Sequence, residues 1–211
     1  MRLALSQVED ALRDPAAWAR RLAEDKGDPR TYSRSNALRH AIGYYHSLGA
    51  DGPYAREYLE AQLSEKFKEG RKSEETRDQL DWYIDHWEGL ERGGWLCADL
   101  RVNVTVPSPP WVRDDFRCSG QVLRFDIVPD GGYAAWIVTQ EGAPERLGGI
   151  EPLLLQYAVA DHLSIPLSEV VVGIYGFRDR FVGTTSGDDA AVLEARDEFF
   201  ELLARLDLKE K

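Results

Sequence analysis

The chain predicts an α/β protein: a mixed central sheet flanked by helices, with a helical cover built from the N-terminal part. Three observations carry this reading. Residues 1–94 show helix-period apolar patterns punctuated by glycines, and the texture switches to strand-like alternation at Trp95. Beyond it, three strand-like runs are followed by an apolar helix and then a fourth strand. Strands separated by a crossover helix belong to a layered α/β core. At 211 residues the chain fits a single domain over 1–211, with 1–94 as the mainly helical part and 95–211 as the α/β core.

The elements follow in order. Residues 4–25 carry Leu5, Val8, Leu12, Trp18 and Leu22 in a broken helical period. Ser6 with Glu9 three residues on reads as a capping box, and Pro15 marks the first turn of a second helix. Residues 34–48 turn Leu38, Ala41, Ile42 and Tyr45 inward and stop at Gly49. Two further amphipathic helices over 52–69 and 73–91 are broken at Gly70 and at Gly93–Gly94. Leu96–Val106 alternates as one half-buried strand, and Ser108-Pro109-Pro110 is a loop. Gln121–Val128 and Tyr133–Thr139 form a hairpin turned at Pro129–Gly132. A helix spans about Glu151–Leu163, Val170–Phe177 is a buried strand, and Asp188 opens a C-terminal helix; the Gly183–Gly187 segment reads as a flexible surface loop.

Composition bounds the function. Hydrophobic residues make up 43% and charged residues 30%, which is globular rather than disordered. No apolar run approaches the ~20 residues of a membrane span, and the start lacks the apolar core of a signal peptide, so a cytoplasmic protein with no membrane partner is expected. The net charge of −11 disfavours unselective binding to a phosphate backbone. The charge is uneven, however. Residues 1–46 carry Arg2, Arg13, Arg20, Arg21, Lys26, Arg30, Arg34 and Arg39 against six acids, whereas Asp188, Asp189, Glu194, Asp197, Glu198 and Glu201 crowd the last quarter. Cys97 and Cys118 lie outside any CxxC spacing. They cannot make a zinc or iron–sulfur site alone, and buried thiols on neighbouring strands are the expectation.

Several segments together resemble the RecB/Cas4-like branch of the PD-(D/E)XK nuclease superfamily. Leu5-Ser6-Gln7 through Asp14-Pro15-Ala16-Ala17-Trp18 is similar to that family's opening, with Asp14 where a cysteine would stand. Asn36-Ala37-Leu38-Arg39-His40 resembles its Gly-x-x-x-His helix, and Gly120 through Asp126 resembles the strand that delivers the first catalytic aspartate. Thr139-Gln140-Glu141, which begins thirteen residues after Asp126, falls where Asp/Glu-x-Lys belongs. Leu153 to Tyr157 falls at Gln-x-x-x-Tyr.

The resemblance implies a nuclease-like fold and the chemistry of phosphodiester hydrolysis. In that chemistry, carboxylates hold Mg²⁺ or Mn²⁺, the cation polarises the phosphate and activates water, and a lysine assists. It implies Asp126 and Glu141 as the catalytic positions, His40 and Asp126 as the metal positions, and Arg39, Arg124 and Tyr157 as nucleic-acid contacts. The departures weigh against cleavage. Thr139 is neutral, Glu141 reverses the sign of the lysine, Gln140 stands in its place under a one-residue shift, and Leu153 removes a further polar group. With Asp14 early and no cysteine after Cys118, no iron–sulfur cluster is expected.

Each residue also has an ordinary reading. His40 can be a packed helix histidine, Asp126 a turn cap, Glu141 a loop acid, and Gln156 and Tyr157 packing groups on an apolar helix. The expectation is therefore a non-catalytic or impaired nuclease-fold protein without a cofactor. It would act with a protein partner in a larger complex as a structural or nucleic-acid-recognition subunit in DNA processing or antiviral defence. One alternative is an active nuclease in which His40, Asp126 and Glu141 together hold Mg²⁺ or Mn²⁺. The other is an acidic inhibitor or DNA mimic.

Overall fold

The computed structural model describes residues 2–24, 33–114 and 116–206. Lys26 and Arg30 of the basic N-terminal set lie outside the described residues, as do the side chains of Arg21 and Leu22.

The helical cover forms as its capping chemistry dictates. Helix α1 (Val8–Arg13) is followed by α2 (Pro15–Glu24), where the Asp14 carboxylate accepts the Ala17 N–H at 2.9 Å and Pro15 occupies the first turn. Ser33 caps α3 (Arg34–Ser47) and Asp51 caps α4 (Gly52–Lys66), each accepting an N–H three residues on. Helix α5 (Arg71–Arg92) runs from Gly70, whose φ of 147° suits glycine, to Gly93.

The α/β part holds two sheets, where one was expected. A three-stranded sheet has the order β1 (Arg2–Ala4), β4 (Arg117–Gln121), β3 (Asn103–Val106). A five-stranded sheet has the order β2 (Leu96–Leu100), β5 (Arg124–Ile127), β6 (Tyr133–Thr139), β7 (Val170–Gly176), β8 (Phe181–Thr185). Helix α6 (Ala143–Leu147) and α7 (Ile150–Leu163) connect β6 to β7, which pair in parallel, and α8 (Asp189–Arg205) closes the described chain.

The predicted strand Leu96–Val106 is split at Arg101. That residue adopts φ 53° and donates its N–H to the Leu123 carbonyl, so β2 and β3 enter different sheets. A left-handed arginine breaks the alternation that the sequence pattern alone suggests. The predicted Ser6 cap is absent, and the Glu9 carboxylate instead accepts the Ile150 N–H of α7 at 3.1 Å. Part of the Gly183–Gly187 segment, expected to be a surface loop, is strand β8. Cys97 and Cys118 are both free, but they sit in different sheets rather than on neighbouring strands. Burial pushes their thiol pKa values up to about 11 and about 12.

Strand alternation sorts the five-stranded sheet into two faces. Phe125, Ala135, Ile137, Val172 and Ile174 pack with residues of α1, α7, α8 and the three-stranded sheet. Leu123, Ala134, Trp136, Tyr175 and Phe177 pack with residues of α3, α4 and α5. Gln156 ties α7 to the chain end of the sheet. Its amide donates to the Leu167 and Gly187 carbonyls and accepts the Gly187 N–H at 2.8 Å. Among the described residues, no helix is long and apolar enough to cross a membrane.

Candidate functional site

Strand β5 reads Arg-Phe-Asp-Ile, so Arg124 and Asp126 point to one face and Phe125 to the other. That face looks onto α3 and α5. Asp126 is fully buried there, and Arg124 grips both of its carboxylate oxygens, with Nε donating to Oδ1 at 2.7 Å and Nη2 donating to Oδ2 at 2.8 Å. The two remaining directions of the guanidinium are also taken. Nη1 donates to the Tyr83 hydroxyl and lies 3.4 Å from His46 Nε2, and Nη2 donates to the Tyr175 hydroxyl at 3.3 Å. The guanidinium carbon sits 4.2 Å from the centroid of the Trp87 ring and 5.3 Å from that of Trp136.

The electrostatics follow from burial. Loss of solvent drives the Asp126 carboxyl up from its ordinary pKa, and the Arg124 charge and hydrogen bonds oppose that rise. Burial alone would lower Arg124, but Tyr83, Tyr175 and Asp126 reverse the effect and leave its pKa above the usual arginine value. Burial lowers His46 to about 3, with Arg124 adding to the effect, and lowers His86 in the same direction. The result is a filled aromatic box around an ion pair.

The other sequence-derived candidates lie elsewhere. His40, half-buried on α3, accepts a hydrogen bond at Nδ1 from Arg101 Nη1 at 3.1 Å; burial, then Arg101, then Lys66 lower its pKa. Glu141 is exposed and pairs with Arg178 beyond β7. The structure therefore does not bring His40, Asp126 and Glu141 together: among the described residues, no group of three or more His, Cys, Asp or Glu side chains is placed to hold a metal ion. Gln140 donates to Ser35 Oγ on the first turn of α3 at 2.9 Å, joining the end of β6 to the helix that carries His40.

The nucleic-acid candidates are also dispersed. Arg124 is internal. Arg39 on α3 is half-buried near Arg146, and both burial and that neighbouring charge lower its pKa. Arg146 itself is held by Glu151 at 2.6 Å. Tyr157 sits on α7 against Arg196 of α8, with the guanidinium carbon 5.9 Å from the ring centroid; it packs with the cluster on the opposite face of the sheet from Arg124.

Sequence reasoning missed the members of the box: His46, Tyr83, His86, Trp87 and Tyr175. Their long sequence separation from Arg124 hid them. A signal for the ion pair was nevertheless present, since two opposite charges spaced by two in a strand share a face. Arg101, which partners His40, carried no pattern at all.

No family model matches the chain, and no curated protein matches it. Among solved structures, an exonuclease candidate from Eubacterium rectale is similar over 100% of this chain and 83% of its own, with 10% sequence identity and a TM-score of 0.50. The fold is nuclease-like. At that identity the likeness speaks for the fold alone. LHK-Exo in complex with dAMP is 15% identical and covers 81% of this chain and 86% of its own, but its TM-score of 0.35 is too loose to carry an argument.

Proposed function

We propose that this nuclease-fold chain does not cleave nucleic acid, and that it serves a protein complex of DNA processing or antiviral defence as a structural or recognition subunit. The observation that supports this most is the state of Asp126, which is fully buried with both oxygens bound by Arg124. A catalytic Mg²⁺ or Mn²⁺ needs carboxylate oxygens that also face water and a phosphate. A guanidinium in that position repels a cation and occupies the lone pairs it would need. The residues present therefore do not fit a divalent ion at Asp126, and we assign no step to one. His40 and Glu141 do not supply a substitute, because each is engaged by a different arginine.

The test is incubation of purified protein with Mg²⁺ or Mn²⁺ and end-labelled single-stranded and duplex DNA. The expected result is no cleavage above buffer. Metal-dependent degradation by the wild type that is lost in folded His40→Ala or Glu141→Gln variants would overturn the proposal.

A further inference from the structure

Helices α3 and α4 carry a group of tyrosines at the surface, in which Tyr44 and Tyr54 are exposed and Tyr58 is half-buried at the edge of the core. Tyr44 of α3 lies against Tyr58 of α4 with ring centroids 4.1 Å apart, and against Tyr54 at 6.1 Å. Tyr44 is 37% and Tyr54 44% exposed. On α4, Tyr54, Tyr58, Gln62 and Lys66 recur every four residues and so share one face. The stripe from Tyr54 to Lys66 runs about 18 Å along the helix.

Positive charge gathers at one edge of these rings. His40 lies one turn before Tyr44 on α3, and Arg101 reaches it with its guanidinium. Arg101 also rests on Gly43, where a Cβ would stand 3.3 Å from its Nε, so the helix surface is cut back to seat the arginine. Its backbone holds φ 53°, an unfavourable conformation for a side-chain-bearing residue. Arg101 is exposed, and among the described residues it forms no ion pair with a carboxylate. Arg56, Arg77, Arg124, Arg146 and Arg178 each have such a partner. Lys66 is close enough for its charge to act on His40.

We infer that this α3–α4 face binds a single-stranded oligonucleotide, with bases stacking on Tyr44 and Tyr58 and phosphate oxygens meeting Arg101 and Lys66. The inference rests on the reading of the chain as a recognition subunit and gives that reading a surface and a ligand class. Exposed ring faces accept unpaired bases of any sequence, and a cation at their edge follows the backbone. The net charge of −11 excludes broad attraction, so binding depends on this local patch. Duplex DNA, whose bases are already stacked, cannot use the rings in this way.

The experiment measures fluorescence anisotropy of labelled oligo-dT of about 20 nucleotides with full-length protein at low salt, with duplex DNA of the same length as the comparison. Tyr44→Ala and Tyr58→Ala are expected to weaken binding about tenfold, and Tyr44→Phe to retain it, because the ring face is kept. Arg101→Gln is expected to flatten the log–log salt dependence by about 0.7. Circular dichroism melts confirm that each variant is folded. Oligo-dT binding that folded tyrosine variants leave unchanged overturns the surface while leaving nucleic-acid recognition in place. Duplex binding as tight as oligo-dT also overturns it. No binding of either probe overturns both the surface and the recognition reading.

Discussion

Arg124 and Asp126 neutralise each other two residues apart on one strand, and the guanidinium passes its remaining hydrogen bonds through two tyrosines to two histidines. One arm donates to Tyr83, whose hydroxyl lies 2.7 Å from His46 Nε2. The other donates to Tyr175, whose hydroxyl lies 3.0 Å from His86 Nδ1. Because both hydroxyls already accept from Arg124, each can donate onward to a neutral histidine nitrogen. Four of the five guanidinium donors are thereby placed on acceptors, and the fifth, on Nη1, lies toward His46 Nε2 at 3.4 Å. A buried charge is tolerated only when it is paired and hydrogen-bonded in this way.

Breaking the pair on one side should be costly. Asp126→Ala leaves a buried guanidinium with no counter-charge, and the expected loss is about 3–5 kcal/mol of unfolding free energy. The double replacement Arg124→Met with Asp126→Leu removes both charges and should lose clearly less than the single change. Urea denaturation followed by tryptophan fluorescence provides the comparison. If the double variant is at least as unstable as Asp126→Ala, the pair is not the source of the cost.

The box also depends on a missing side chain. Gly173 on β7 stands in register with Trp136 on β6, and a Cβ there would collide with the indole ring. The tryptophan fills the space its cross-strand neighbour leaves open. Trp136 in turn packs against Tyr175 with centroids 4.7 Å apart and overlies Arg124. Gly173→Ala should therefore displace the indole and destabilise the fold by about 1–3 kcal/mol. A red shift of tryptophan emission should accompany the loss of stability. Unchanged emission and stability would mean the strand yields without disturbing the ring.

Periodicity and glycine breaks revealed the helical cover, the hairpin of β5 and β6, and the crossover to β7, because burial on one face leaves a regular trace. Strand β1, strand β4 and helix α6 left too short a pattern to read. The partition into two sheets turned on the conformation of Arg101, a backbone property that no side-chain pattern encodes. At the candidate site, Asp126 was legible as a charged residue inside an apolar strand. Its partner was legible only as the residue two places earlier, and the walls came partly from helices, with His46 78 residues before Arg124 and Trp87 nearer, and partly from Trp136 and Tyr175 on neighbouring strands. Sequence likeness singled out Asp126, and three-dimensional packing decided what surrounds it.

The histidine relays predict a pH dependence with a definite sign. His46 accepts from Tyr83 and faces Arg124, so a proton on Nε2 would be poorly solvated and would meet a guanidinium, and its folded pKa falls from 6.5 to about 3. The unfolded chain takes up this proton near pH 6.5 and the folded chain does not. The unfolded state therefore binds more protons between those two values, and stability drops as pH falls through that window. The contribution is complete above pH 6.5 and gone below about 3. His86 shifts in the same direction, whereas the raised carboxyls of Asp126 and Glu151 act with the opposite sign. Comparison with His46→Gln isolates the one residue, since glutamine can still accept from Tyr83 but carries no proton. From pH 7 to pH 4.5 the wild type should lose on the order of 2 kcal/mol more than the variant, read from paired urea titrations at the two pH values. Equal losses in the two proteins would place the titrating histidine outside the Arg124 box.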